Sequence, residues 1–334
     1  MTQPETGYLT PTTPQEAVEM LRGYAGHARV IAGGTDILPD VAKGALTAGQ
    51  AHAPDCLIDI TRIPELGKIE VGESWVIVGA AVPFVRLREH PYLASRFHAL
   101  VDAAASVGAL AIQTSATWAG NLVQALPAAD GAIIAAALDA EVRVLVARSE
   151  TGHSTVVRSE TGHSTVEETG HSTVEERWLP VADLYAGPGR SRIDSTRELV
   201  THIRFPIPVS TWGPPCWGTA WRRAGRRPSL VLPTLNCAVK VELERDRILP
   251  AAGVAIAMGP VGPCPVRAHS AEVFLAGKEP RPEVLAEAAQ LALCDADPRS
   301  SVLRASREYR LAVLPVLVED ALTRAVRRAR GVQD

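Results

Sequence analysis

The sequence predicts an α+β protein of three successive units, and three observations lead to this fold class. Short strand-like and helical segments alternate through the first half of the chain. Residues 234–244 then alternate between apolar and polar side chains, as a strand does. Helical stretches at 267–276, 282–294 and 304–330 follow this strand. Strands followed by helices indicate an antiparallel sheet with its helices on one face.

The first unit is predicted over residues 1–60. Residues 13–16 (T-P-Q-E) match a capping box, with Pro14 at the first helical position. We expect the helix that follows to end near Gly26. Strands at 28–32 and 57–60 would then give a βαβ-like start, with a glycine-containing segment directly after the first strand.

The second unit is predicted over residues 61–208. Strands at 69–71 and 75–80 are expected to form a hairpin. A helix over 97–107 should end at Gly108, and a second helix is expected over 128–138, with Pro127 at its first turn. A strand at 140–146 would complete this unit.

A loop at 148–177 interrupts the second unit with three copies of the heptapeptide E-T-G-H-S-T-V, at 150–156, 160–166 and 168–174. The unequal spacing of the copies argues against a solenoid. His153, His163 and His171 form a histidine-rich tract that could hold a metal, but they stand among Gly, Ser and Thr without a rigid framework. We therefore expect a tandem duplication that extends a solvated β-hairpin, with no metal site.

The third unit is predicted over residues 215–330, after a proline-rich connection. In the strand at 234–244 the side chains of Asn236, Lys240 and Glu242 share one face. This pattern predicts a half-buried strand whose polar face meets solvent. Pro315 is expected to kink the last helix.

Composition narrows the classes of function. A net charge of −3 over 334 residues gives no general reason to expect nucleic acid or an anionic membrane. No apolar run reaches the roughly 18 residues that a membrane span needs, and the first residues lack the pattern of a signal peptide. The five cysteines include no C-x-x-C pair, so we expect free thiols, no zinc or iron–sulfur site, and a cytoplasmic protein.

Two segments of small residues, each expected to form a loop, are the candidates for ligand binding. The first follows a strand and consists of Ala32, Gly33, Gly34, Thr35 and Asp36. Consecutive glycine amides can form a nest for phosphate, and Thr35 adds a hydroxyl donor. The second is T-W-A-G-N at 117–121, with the carboxylate of Asp130 beyond it. We expect the two segments to hold a pyrophosphate between two subdomains, although close-packed turns without a ligand stay open as an alternative.

Five short segments of the sequence, taken in their order along the chain, resemble those of a known family. They are the two segments above, E-L-V at 198–200, W-R-R-A-G-R-R at 221–227 and R-A-S-R-E-Y-R at 304–310. Over nearly its whole length the chain resembles the FAD-binding medium subunit of molybdenum hydroxylases, the xanthine dehydrogenase and carbon monoxide dehydrogenase type. The resemblance implies a two-subdomain FAD-binding domain of the PCMH-like type, followed by a C-terminal α+β domain.

The resemblance also implies the function and the site. The chain would carry electrons through FAD, from 2Fe-2S clusters on a small partner subunit to an external acceptor. A molybdopterin-binding large subunit would hold the molybdenum cofactor, in a dimer of heterotrimers. No catalytic residue or metal ligand is implied for this chain. The matching cofactor-binding positions are Ala32, Gly33, Gly34, Thr35, Asp36, Thr117, Ala119, Gly120, Asn121, Asp130, Val200 and Arg222.

Three features depart from the family pattern. Ala119 stands where glycine is usual, which is tolerable if its φ is negative. Trp118 replaces a small aliphatic residue and is expected to pack against the adenine or a partner. Residues 228–230 (P-S-L) stand where xanthine dehydrogenases carry an acidic run, which argues against NAD as acceptor. A self-contained FAD oxidoreductase and a non-catalytic assembly subunit are the alternative functions.

Overall fold

The computed structural model describes residues 6–42, 54–149, 157–158, 164–165, 172–208, 216–227, 231–250, 253–301 and 304–332. Helices and sheets are mixed along these residues, which confirms the α+β class. Three main sheets follow one another along the chain. The unit limits at residues 60, 208 and 215 remain predictions.

The first part of the chain forms a three-stranded parallel sheet in the order β1-β3-β2. Its elements are β1 Gly7–Leu9, α1 Pro14–Gly23, β2 Ala28–Ile31, α2 Ile37–Ala42 and β3 Cys56–Asp59. The hydroxyl of Thr13 accepts a 3.1 Å hydrogen bond from the amide of Glu16, so the predicted N-terminal cap is present. The helix ends at Gly23 rather than Gly26, because the chain turns through Ala25 and Gly26 with positive φ.

The second part forms a five-stranded antiparallel sheet in the order β4-β5-β12-β6-β9. The predicted hairpin of β4 and β5 is present. The elements are β4 Ile69–Val71, β5 Trp75–Gly79, α3 Phe84–Glu89, α4 Pro91–Arg96, α5 His98–Ser106, α6 Leu110–Gln113, α7 Trp118–Val123, α8 Asp130–Ala137, β6 Glu141–Ser149, β7 Val157–Arg158, β8 Ser164–Thr165, β9 Ser172–Pro180, β10 Tyr185–Gly187, β11 Arg190–Ser191 and β12 Glu198–Pro206.

Two predictions near α7 and α8 were wrong in detail. Residues 118–121 are not a loop, because they form the first turns of α7, which Thr117 caps. The next helix starts at Asp130 rather than at residue 128, because the chain first turns through Ala125 (φ 54°) and the segment around Pro127. The second segment of small residues is therefore the start of a short helix.

Along the chain, the repeats begin directly after β6 and end within β9, and these two strands pair over their nine residues. Most of the repeat positions, including His153, His163 and His171, lie outside the described residues, as do the 228–230 positions. Among the helices that the structure describes, none has the length and apolarity needed to cross a membrane.

The third part forms an antiparallel sheet in the order β13-β14-β16-β17, with β15 paired to β14. Its elements are β13 Cys216–Ala224, β14 Leu235–Glu244, β15 Arg247–Ile248, β16 Val254–Gly259, β17 Val266–Arg267, α9 His269–Leu275, α10 Pro282–Leu291 and α11 Arg307–Ala329. The helices pack on one face of this sheet, as predicted. Pro315 lies inside α11, and the helix continues past it.

The predicted half-burial of β14 was wrong, because both faces of the strand are covered. Asn236 is fully buried and Lys240 is 4% exposed. The Asn236 side-chain amide donates to Asp130 at 2.7 Å, and the Lys240 ammonium lies 3.1 Å from Asp139. These carboxylates stand at the first residue of α8 and just beyond its last turn. The polar face that the sequence assigns to solvent therefore packs on α8.

Candidate functional site

One open cavity of about 360 Å³ lies where the first sheet meets α6, α7 and β12. Both predicted segments line it, although they are far apart in the sequence. The predicted site residues in its lining are Ala32, Gly33, Gly34, Thr35, Asp36, Thr117, Ala119, Gly120, Asn121 and Val200. The geometry thus brings together all predicted positions except Asp130 and Arg222.

The first segment turns sharply at the end of β2. Gly34 has a φ of +67°, a conformation that favours glycine. A Cβ on Gly33 would lie 2.0 Å from the carbonyl oxygen of Ser115. The backbone at Gly33 therefore touches the chain at Ser115, just before the second segment, and the glycine is needed for this contact whatever the cavity holds.

The second segment presents the first turns of α7 to the cavity. The hydroxyl of Thr117 accepts from the amide of Gly120 at 3.1 Å, so this hydroxyl is already engaged in capping the helix. The side-chain oxygen of Asn121 is buried and has no hydrogen-bond partner among the described residues. Ala119 has helical backbone geometry and so tolerates its Cβ, as expected.

Trp118 does not face the cavity, contrary to expectation. It is fully buried, its indole N–H donates to the carbonyl of Gly131 at 2.8 Å, and its ring packs edge-on against Phe205. The indole fixes the start of α7 against the start of α8. Its role in this chain is to pack the core behind the cavity.

Three charged residues line the cavity. Arg29 stands on β2, and burial lowers the pKa of its guanidinium while the charges of Asp40 and Asp194 oppose this effect. Burial, with the nearby charge of Asp40, raises the pKa of Asp36. Glu198 accepts a 2.9 Å hydrogen bond from the amide of Asp194. The remaining lining is mostly aliphatic, which suits ring systems.

Asp130 lies behind the cavity wall rather than in it. It is 6% exposed, and its carboxylate accepts from Asn236 at 2.7 Å. Burial raises the pKa of Asp130 to about 6, and the hydrogen bond from Asn236 and the charge of Arg223 offset only part of this effect. Asp130 therefore bonds α8 to β14.

Arg222 also lies outside the cavity, because it faces the helices of the third part. Its guanidinium pairs with Asp320 of α11. Successive side chains on β13 point in opposite directions, so the neighbouring Trp221 faces the second part, where its indole donates to Ser106 at 3.1 Å. The strand places Arg222 away from the second part of the chain.

Several lining residues were not predicted from the sequence. Ile60 directly follows β3. Its position at the end of a strand, next to a glycine-containing segment, could have indicated that it lines the cavity. Glu198 belongs to the E-L-V segment, but it was not predicted as a site residue. The others carry no motif, since they are ordinary residues that the fold brings to the cavity. They are Arg29, Val30, Ile31, Ile37, Ala80, Val107, Ile112, Ala116, Val123, Gln124, Leu126, Ile193, Ser195 and Leu232.

Two family models match consecutive parts of the chain. One, described as the FAD binding domain in molybdopterin dehydrogenase, matches residues 4–157. The other, described as the CO dehydrogenase flavoprotein C-terminal domain, matches residues 220–325. The first match contains both cavity segments, and the second contains most of the sheet and helices of the third part.

Relatives match over nearly the full length. The chain is 25% identical to the xanthine dehydrogenase FAD-binding subunit of Escherichia coli O157:H7, over 97% of each chain. A chain of carbon monoxide dehydrogenase from Hydrogenophaga pseudoflava superposes with a TM-score of 0.78 at 25% identity, over 98% of this chain and 99% of that one. Quinoline 2-oxidoreductase from Pseudomonas putida 86 shows the same fold, with a TM-score of 0.76 at 24% identity and the same coverage. The chain therefore belongs to the family of FAD-binding medium subunits of the molybdenum hydroxylases.

Proposed function

We propose that this chain binds one FAD without a covalent bond and relays electrons within a molybdenum hydroxylase complex. The observation that carries the proposal is the meeting of the two segments at 32–36 and 117–121 on one cavity. Family membership supports the same reading. When bound, the flavin supplies one- and two-electron transfer, while the protein binds and orients it.

The residues of the cavity fit such a cofactor. The turn at Gly33 and Gly34 offers backbone amides and the hydroxyl of Thr35 to phosphate oxygens. Arg29 adds a positive charge in the same lining. The side-chain oxygen of Asn121 is buried towards α8, since a Cβ on Gly131 would lie 2.4 Å from it, so we assign this oxygen no contact with the cofactor. Aliphatic walls including Val200 suit the ring systems.

Asp130 and Arg222 are not proposed to contact the cofactor. Asp130 would support the cavity from behind, since it holds the start of α8 to Asn236. Arg222 is engaged with Asp320, so we do not assign it a contact with the cofactor. The residues that we propose to contact FAD are therefore the predicted residues without Asp130 and Arg222, together with Arg29.

The partners follow from the family. We propose a molybdopterin-binding large subunit and a 2Fe-2S small subunit, assembled as a dimer of heterotrimers. The names of the relatives support a heteromeric assembly, since they describe an FAD-binding subunit and a medium chain. A cytoplasmic location is proposed too, and it is supported by the finding that the five cysteines, all in the described part, form no disulfide.

The test is stopped-flow absorbance of the lone chain and of the complex. The lone chain should contain FAD, yet no small organic substrate of the complex should reduce it. Addition of the molybdenum and iron–sulfur partners should restore substrate-dependent bleaching of the flavin. Rapid reduction in the lone chain would instead indicate a self-contained oxidoreductase. Failure to take up FAD on reconstitution would indicate an assembly subunit.

A further inference from the structure

An exposed apolar patch stands at the mouth of the proposed FAD cavity. We call it the α6 patch, and it consists of Leu110, Ala111 and Ile112 of α6. Leu110 is 61% exposed and does not line the cavity, whereas Ile112 is 37% exposed and does line it. The α6 patch is therefore continuous from the cavity wall to the outer surface of the chain.

Hydrogen bonds of the neighbouring Gln113 hold the α6 patch in place. The side chain of Gln113 is buried, and its amide donates to the carbonyls of Ala105 and Val107, at 2.9 Å each. Its oxygen accepts from the guanidinium of Arg88, so this cation is already engaged. The exposed apolar side chains thus stand on a fixed framework, and a partner that covers them would not have to order it first.

The segment that contains the α6 patch is free of charge. Residues 103–129 include no acidic or basic side chain, although 21% of the whole chain is charged. Seven of these residues are exposed, namely Ala105, Leu110, Ala111, Ile112, Thr114, Ser115 and Gly120. The cores of protein interfaces are depleted of charged residues relative to the rest of the surface. An exposed, uncharged segment with two large aliphatic side chains therefore indicates a surface that another protein covers.

We propose that the α6 patch is the docking surface for an uncharged, apolar face of the subunit that carries the 2Fe-2S clusters. This inference rests on the proposed function. Electron transfer to a flavin in this cavity needs a donor close to it, and a protein seated on Ile112 lies against the cavity wall itself. The molybdopterin-binding subunit does not need this position, because in the proposed relay it passes its electrons to the clusters.

Binding of the separately purified 2Fe-2S subunit to the FAD-loaded chain tests the proposal. Leu110→Glu introduces a charge into the expected contact, so we expect the affinity to fall by about tenfold or more. Because Leu110 is mostly exposed and lies outside the cavity lining, the variant should keep the flavin absorbance and melting temperature of the wild type. Val316→Glu is the matched control, since Val316 is 67% exposed on α11, and it should bind the 2Fe-2S subunit as the wild type does.

Two further measurements separate docking from damage to the cofactor site. In stopped-flow mixing with the reduced 2Fe-2S subunit, Leu110→Glu should slow flavin reduction at low concentrations of that subunit and not at saturating ones. In the wild type, binding of the 2Fe-2S subunit should protect the backbone amides of residues 108–115 from hydrogen exchange. This second measurement needs no variant.

Equal affinity of Leu110→Glu and the wild type for the 2Fe-2S subunit would overturn the proposal. Protection of residues 108–115 by the molybdopterin-binding subunit alone, or by self-association of the chain, would also overturn it, because the occupant would then be a different one. Flavin absorbance tests the proposed function separately. A chain that takes up no FAD contradicts that function, whereas an FAD-loaded chain that fails the binding tests contradicts only the docking surface.

Discussion

At the scale of the residue, two glycines of the cavity segments have different constraints. A Cβ on Gly33 would overlap the carbonyl of Ser115, whereas a Cβ on Gly120 would meet only the hydroxyl of Thr117, at 3.1 Å. From the sequence alone, valine at either position is expected to displace the pyrophosphate. The structure indicates instead that Gly33 is constrained by the protein backbone itself.

Gly33→Ala should therefore push the first segment away from Ser115, just before the second segment. We expect the free energy of unfolding to fall by about 1–3 kcal/mol, as in overpacked cores, together with loss of bound flavin. Gly67→Ala is the control and should retain the flavin, because its Cβ would meet no atom within 4 Å and this glycine does not line the cavity. Thermal denaturation and flavin absorbance measure both effects. Equal flavin content in the two variants would contradict this assignment.

The two carboxylates at the ends of α8 should respond oppositely to pH. Because burial raises the pKa of Asp130 to about 6, above its ordinary 3.8, the protonated form favours the folded state. Its contribution to stability is fully present below about pH 4 and is lost as the pH rises through about 6. For Asp139, burial is outweighed by the charges of Lys240 and Arg267, so the pKa is lowered and the ionised form favours the folded state.

Asp130→Asn should accordingly stabilise the chain at pH 8, by on the order of 2 kcal/mol, because asparagine resembles the protonated acid. Its amide oxygen can still accept from Asn236. The variant should also lose its share of the pH dependence between about pH 4 and 6. Asp139→Asn should destabilise the chain at pH 8. Chemical denaturation over this pH range measures both, and destabilisation by Asp130→Asn at pH 8 would refute the assignment.

At the scale of the element, local patterns predicted the longer helices and several of the strands. The cap at Thr13 and the alternation in β14 are carried by neighbouring residues, so the sequence is sufficient for them. The surroundings of an element are not local information. The burial of Lys240 depends on Asp139, which is 101 residues away in the chain. The same reason explains the wrong expectation for Trp118, whose partners are Gly131 and Phe205.

The packing of α11 on β13 depends on Gly218. A Cβ at this position would lie 2.3 Å from the carbonyl oxygen of Ala325 and 2.6 Å from the amide nitrogen of Ala329. Gly218→Ala should move the helix away from the sheet and lower the free energy of unfolding by roughly 1–3 kcal/mol. Gly67→Ala is a suitable control, since its Cβ would meet no atom within 4 Å. Urea denaturation of the two variants compares them, and equal midpoints would disprove the close contact.

At the scale of the whole molecule, the third part closes the core of the second. The hydroxyl of Thr219 accepts from the amide of Ala99 at the start of α5, at 3.1 Å. The indole of Trp221 donates to Ser106, the last residue of the same helix. Strand β13 thus bonds both ends of α5, as β14 bonds both ends of α8.

This shared core predicts one cooperative unfolding transition for the described parts of the chain. FAD should raise that transition as a whole, adding about 2.7 kcal/mol at a free concentration one hundred times its Kd. Scanning calorimetry with and without FAD measures the effect. Two transitions, of which FAD shifts only the first, would show that the parts unfold independently.

Only part of the site was predictable from the sequence, because some of its residues meet only in the folded molecule. The segments at 32–36 and 117–121 were indicated by their small residues, because close backbone approach has a local signature. Asp130 and Arg222 were predicted because they match positions of the family pattern. Their side chains bond to β14 and α11 instead of lining the cavity. Residues such as Ser195 and Leu232 have no signature, since only the folded chain brings them there.

The paired bonding of α5 and α8 has a consequence for building hybrid proteins from related subunits. A graft that joins the first two parts of this chain to the third part of a relative would replace Thr219, Trp221, Asn236 and Lys240 together. Each of their partners, from Ala99 to Asp139, would remain on the recipient side. A functional hybrid would therefore have to transfer the facing surfaces of α5 and α8 with the donor sheet, so the exchangeable module is larger than the C-terminal domain.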